Sequence, residues 1–181
     1  GSEEFRTADL GYRDSVIRDG WLAGNTLSEV MDMYMDRIVG ENVFGRYGRQ
    51  FPVCVRNLHV SGKMPLIVHP SDQLAVSSYD FLGKEKLWYI RSAGNDAKLF
   101  MGFRRETSAS ELYGKCSDSS VEEILNVVSP HAGQVFHISP GTVHAAEGKL
   151  EIIEISESSP LDFFLRGWGL PADGEAFDAS M

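Results

Sequence analysis

Hydrophobic positions change their spacing near residue 51. Before it, Leu27, Val30, Met31, Tyr34 and Ile38 recur at the intervals of one helical face. Thr26 and Glu29 bracket Leu27 and Ser28 as a capping box, and Gly40 supplies a stop. The spacing predicts one amphipathic helix over 27–39, in which Met31, Met33 and Met35 are packing or surface residues. From Phe51 onward, short β-branched and aromatic runs take over: PVCVRNL, PLIV, LWYI, KLFMGF, QVFHI, LEIIEI and DFFL, separated by clusters of Gly, Pro, Asn, Asp and Ser. Ile153, Ile155, Val135, Leu87 and Tyr89 fall at spacings that alternate between a core and the opposite face. A second short helix is predicted over 121–127, with Ser120 and Glu123 as its capping box. Many short strands with few helices predict a mainly β sandwich or barrel that carries a helical appendage.

Composition narrows the function classes. A chain of 181 residues that is 43% hydrophobic buries one core. A net charge of −9 with a pI near 5.0 excludes a phosphate-binding surface for nucleic acid, which needs clustered Lys and Arg. No stretch is long and apolar enough to span a bilayer, so no membrane partner is expected. The polar, acidic start GSEEFRTADLGYRD lacks the basic-then-apolar order of a signal peptide. Cys54 and Cys116 sit in unlike contexts, apolar and polar, so a disulfide framework is not expected and a reducing, cytoplasmic setting is.

Three segments carry candidate chemistry. GQVFHISPGTVHA ends in His144 on a glycine turn between apolar strands, PLIVHPSD places His69 at the end of another, and GKEKLWYI lies between them in sequence. WLAGNTLSEVMDMY precedes all three. In this order, from about Gly20 to Gly169, the chain resembles the type I phosphomannose isomerases, zinc-dependent sugar-phosphate isomerases of the cupin superfamily. The resemblance implies a cupin jelly-roll barrel over 51–169, an N-terminal helical segment over 1–50 packed on it, and a tail over 170–181 truncated from a longer parent chain. It also implies interconversion of mannose 6-phosphate and fructose 6-phosphate, with zinc or another divalent metal as cofactor and a small-molecule sugar phosphate as partner.

The family's four metal ligands are met only in part. His69 and His144 match its two histidines, but Ile67 stands at the position of its glutamine and Lys86 at that of its glutamate. Phe164 and Gly167 stand where its arginine and aspartate fall, with Arg166 the nearest cation. Glu85 is a poor replacement, because a one-residue slip turns a strand side chain to the opposite face. A carboxylate about 4 Å from a divalent ion, at an effective dielectric near 20, contributes roughly 8 kcal/mol of attraction, and an ammonium there is repelled by as much. That is comparable with the whole of a structural zinc site, about 10–16 kcal/mol.

Two readings follow. In the first, His69 and His144 hold a metal, with Arg166 and Lys86 as catalytic candidates and Trp88, Lys84 and Lys63 as substrate-binding ones. In the second, Lys86 points into the barrel, fills the metal's volume and hydrogen-bonds to the imidazoles. The chain is then a metal-free, non-catalytic module that binds a sugar or sugar phosphate or supports a larger protein. His137, His131 and His59 are read as ordinary core or surface histidines. Both readings require His69 and His144 to converge.

Overall fold

The structure, a computed structural model, describes residues 1–170. The tail expected over 170–181 lies almost wholly outside the described residues. Nine strands make one continuous β-structure: β1 (Ser2–Thr7), β2 (Val53–Lys63), β3 (Ile67–Val68), β4 (Lys86–Ala93), β5 (Lys98–Phe103), β6 (Leu125–Val128), β7 (Val135–Ile138), β8 (His144–Glu157) and β9 (Phe163–Phe164). Every pairing is antiparallel. The mainly β reading holds, with five short helices: α1 (Leu27–Tyr34), α2 (Asp36–Val39), α3 (Glu41–Tyr47), α4 (Asp72–Tyr79) and α5 (Ala109–Ser117). None is long and apolar enough to cross a membrane.

β8 organises the rest. Its second half, Leu150 to Glu157, lies between β2 and β4, while its first residues pair with β5 and, through His144, with β3. The change of partner occurs around Gly148, which sits at φ +94° opposite Gly62 in the β2 register. A side chain at 148 would meet the Asp96 carbonyl at 2.8 Å and the Ala97 Cα at 2.9 Å, so the bend requires glycine. One layer therefore runs β7-β4-β8-β2-β1 and the other β6-β5-β8-β3-β9, with Leu58, Val60, Trp88, Ile90, Leu99, Ala146 and Ile152 packed inside. A second apolar cluster, Phe100, Ala145, Val121, Ile124 and Trp168, backs the other layer.

Several local expectations change. The predicted 27–39 helix is two, because Met35 turns to φ +48° and breaks the backbone while the apolar spacing runs on. Its start is as read: the Thr26 side chain accepts from the Glu29 amide, and the Glu29 carboxylate accepts from the Thr26 amide at 2.8 Å. The predicted 121–127 helix is one 3-10 turn, Val121–Ile124, followed by β6, and Ser120 makes no side-chain cap. Pairing of Leu125, Val127 and Val128 with β5 overrides the helical signal. The segment before residue 51 also supplies β1, so the sheet starts earlier than the helical reading allowed.

Candidate functional site

His144 opens β8, delivered by a tight turn in which Gly141 takes φ +82° and the Thr142 amide donates to the Ser139 carbonyl at 3.1 Å. It shares the inward face with Ala146 and stands directly opposite Ile67 of β3 and Met101 of β5. His69 follows β3, and its carbonyl accepts from the Gly141 amide at 2.8 Å, which ties the two histidine segments together. The rings meet at 5.1 Å between centroids, so the expected convergence of His69 and His144 is present.

Their tautomers follow from their partners. His69 Nδ1–H faces the Leu161 carbonyl at 3.1 Å and Asp162 Oδ1 at 3.0 Å; His144 Nδ1–H donates to the Thr142 carbonyl at 2.8 Å. All three partners are acceptors, so each Nδ1 carries the proton and each Nε2 keeps its lone pair. Both Nε2 atoms are buried without a hydrogen-bond partner among the described residues. Burial, followed by the nearby Lys86 charge and the neighbouring ring, holds His144 well below the ordinary imidazole value. Burial also lowers His69, against the opposing pull of Asp162. Both rings are neutral acceptors at neutral pH.

Lys86 is inward as expected, but its partner is not an imidazole. Its Nζ donates to Glu154 Oε2 at 3.0 Å. Register explains the exchange, since β4 lies beside β8 with Trp88 opposite Glu154 and Lys86 one inward step along. A carboxylate there outcompetes a neutral ring for an ammonium. Glu154 also accepts from Trp88 Nε1 at 2.6 Å and Arg56 Nε at 2.8 Å, while Arg56 reaches on to Glu3 of β1. Burial alone would raise the Glu154 carboxyl, but Arg56 and Lys86 hold it well below the usual carboxylate range. Burial pushes the Lys86 ammonium down to about 8 despite Glu154.

The other candidates divide. Lys84, read as a solvated turn residue as well as a ligand candidate, is buried and donates to Asp162 Oδ1 at 2.7 Å, one carboxylate away from His69. Trp88 is wholly buried, edge-on to His144 at 5.4 Å. Lys63 lies elsewhere, 3.8 Å over the Trp168 ring and 3.1 Å from Glu122. Arg166 is exposed after β9 and makes no hydrogen bond or ion pair among the described residues. The structure thus gathers His69, His144, Lys86, Trp88 and Lys84, and leaves Lys63 and Arg166 outside. Sequence reading missed Asp162, Arg56 and Glu3; their only signal is that each is an acidic or basic residue at an inward parity or a strand end.

A zinc ion is only half provided for. Two neutral imidazoles with unpartnered Nε2 atoms, oriented through Nδ1 by a carboxylate and carbonyls, are suitable ligands. Catalytic zinc takes three protein ligands. Ile67 offers only methyl groups opposite His144, and Lys86 brings a like charge. Among the described residues no three His, Cys, Asp or Glu side chains converge to hold a metal. The residues present do not fit the family's ion.

No protein-family model matches the chain. Individual proteins do. Mannose-6-phosphate isomerase ManA of Bacillus subtilis is 29% identical over 153 residues, 83% of this chain and 46% of that protein. The mannose-6-phosphate isomerase of Streptococcus mutans is 27% identical over 146 residues, 80% and 44% of the respective lengths. This chain therefore spans about half the length of these curated relatives. The crystal structure of the Bacillus subtilis mannose 6-phosphate isomerase matches the fold with a TM-score of 0.82 at 24% identity, over 96% of this chain and 54% of that one. A zinc-bound mannose 6-phosphate isomerase matches at a TM-score of 0.67 and 12% identity, over 97% and 64%. By sequence and by fold together, the proteins this chain is similar to are mannose-6-phosphate isomerases.

Proposed function

We propose that this chain is a non-catalytic isomerase-fold module, one that keeps the barrel of its relatives without their metal-dependent aldose-ketose isomerisation and acts as a supporting unit of a larger assembly. The observation that carries this reading is the Lys86–Glu154 ion pair, fully buried at the position where the family resemblance calls for a glutamate ligand. An ammonium held there opposes a divalent ion, and with Ile67 in place of the glutamine only two of four ligands remain. The interior also offers little to a phosphate. Lys86 and Lys84 are each paired with a carboxylate, Glu154 and Asp162, so among the described residues no uncompensated cation faces inward to hold a sugar phosphate. Two free thiols, Cys54 and Cys116, suit a cytoplasmic setting.

The test pairs metal content with turnover. The unmodified chain, dialysed against zinc, is expected to retain far less than one equivalent and to give no interconversion of mannose 6-phosphate and fructose 6-phosphate. Lys86→Glu combined with Ile67→Gln should gain zinc affinity, read by calorimetry and by a zinc-dependent rise in Tm. Stoichiometric zinc on the unmodified chain that disappears in His144→Ala, accompanied by turnover, would return the chain to the enzymes.

A further inference from the structure

The outer face of β7, β4, β8 and β2 carries a group of apolar side chains at its centre, although a sheet that already covers a core on its other side is ordinarily polar there. Val135 on β7, Leu87 and Tyr89 on β4, and Ile155 on β8 remain 59%, 39%, 41% and 41% exposed. Register sets them in rows. Tyr89 stands between Val135 and Ile153, Leu87 between His137 and Ile155, and Ile155 beside Val55. The inner face of the same strands buries Trp88, Ile90 and Ile152, so the core has no need of these outward side chains. Grouped apolar side chains left at a surface and rimmed by polar ones are a usual mark of an interaction site.

Charge along β4 indicates what covers it. The outward residues read Glu85, Leu87, Tyr89 and then Arg91 where the strand's register shifts past Ile90, all exposed. Laid antiparallel against itself across a two-fold axis, this order sets Glu85 of each copy against Arg91 of the other and Leu87 against Tyr89. A broad sheet face is best covered by another sheet face, and a surface complementary to itself makes an isologous pair. At the Glu85 end a recess of about 370 Å³ opens between Tyr47, Leu87 and Ile155, with Glu85 and Glu157 among its walls. Glu157 is already held by the Tyr47 hydroxyl, the Glu85 amide and Arg46, so the apolar sides match the aliphatic stem of an arginine and Glu85 its guanidinium. Glu85 is already steered by His137 Nε2 at 2.5 Å, and Arg91 forms no ion pair among the described residues.

We propose that this face is the interface of a symmetric dimer of the chain, with Arg91 of each copy seated in the Glu85 recess of the other. The apolar rows form its centre, and Arg91, His137, Glu151 and Arg46 its polar rim; together they must reach about 800 Å² per copy for a stable pair. The proposal is independent of whether the barrel binds metal.

Sedimentation equilibrium of the 181-residue chain tests it from micromolar to submillimolar concentration. A reversible monomer–dimer equilibrium is expected. Tyr89→Glu should abolish it, and Arg91→Glu should weaken it at least about tenfold by setting two carboxylates together. The charge swap Glu85→Arg with Arg91→Glu should restore it. All three positions are on the surface, and unchanged circular dichroism verifies folding. A monomer at every concentration, which would assign the face to some other partner, overturns the dimer; so does a dimer unmoved by Tyr89→Glu, or a swap no tighter than Arg91→Glu alone.

Discussion

Glu154 is one carboxylate receiving three buried donors, from Lys86, Trp88 and Arg56. Replacing it by Gln keeps the shape but leaves two interior cations with only Glu3 between them. The expected loss is about 3–5 kcal/mol, the usual penalty for stranding a buried charge, measured by urea unfolding at neutral pH. Acidity should show the same dependence. The folded carboxyl titrates well below the 4.5 of a free glutamate, so on acidification the unfolded chain takes up this proton first. The stabilisation is complete above about pH 4.5 and is lost as pH falls further. Glu154→Gln should flatten that acid limb; an identical slope in both proteins would show that Glu154 is not its source. His69, His144 and Lys86 were legible in the sequence because each lies within a short motif of fixed order. The ion partner of Lys86 was not, because LEIIEI puts apolar residues on both parities and alternation alone does not tell which face Glu154 takes. Asp162 is brought to His69 and Lys84 by the return of the chain after β8, which no local spacing reports.

At the level of elements, strands were easier to read than helices. The recurring β-branched runs correspond to β2–β5 and β7–β9, whereas α4 has no consistent apolar face and the Leu112–Cys116 pair of α5 is too short a stripe to signal a helix. Their caps were the available signal: Ser71 accepts from the Leu74 amide and Ser108 from the Glu111 amide, the latter in a Ser-Ala-Ser-Glu sequence that matches a capping box. β6 was mistaken for helix because its strand character comes from β5 alongside it. The bend at Gly148 is the element feature most exposed to test. Alanine there meets backbone of Asp96 and Ala97 and a φ of +94°, so Gly148→Ala should cost about 1–3 kcal/mol. Gly141→Ala, where a side chain meets nothing within 4 Å, isolates the backbone strain alone and should cost less. Comparable losses in thermal unfolding would contradict the steric account.

Across the whole molecule, the two layers are joined through β8, which contacts β2, β3, β4 and β5. Its partners come earlier in the chain, β2 by about a hundred residues at the Val53–Glu157 end. During synthesis the ribosome therefore delivers the centre of the sheet after nearly all of its partner strands. The β1–β2 and β5–β6 pairs can form as they emerge, but they have nothing to pack on, and their apolar faces wait exposed until residue 144 and beyond have been added. The nascent chain is thus at its most vulnerable to aggregation just before β8 emerges, and a release-arrested chain ending before His144 should be protease-sensitive throughout, whereas one carrying Glu157 and beyond should be resistant as a single unit.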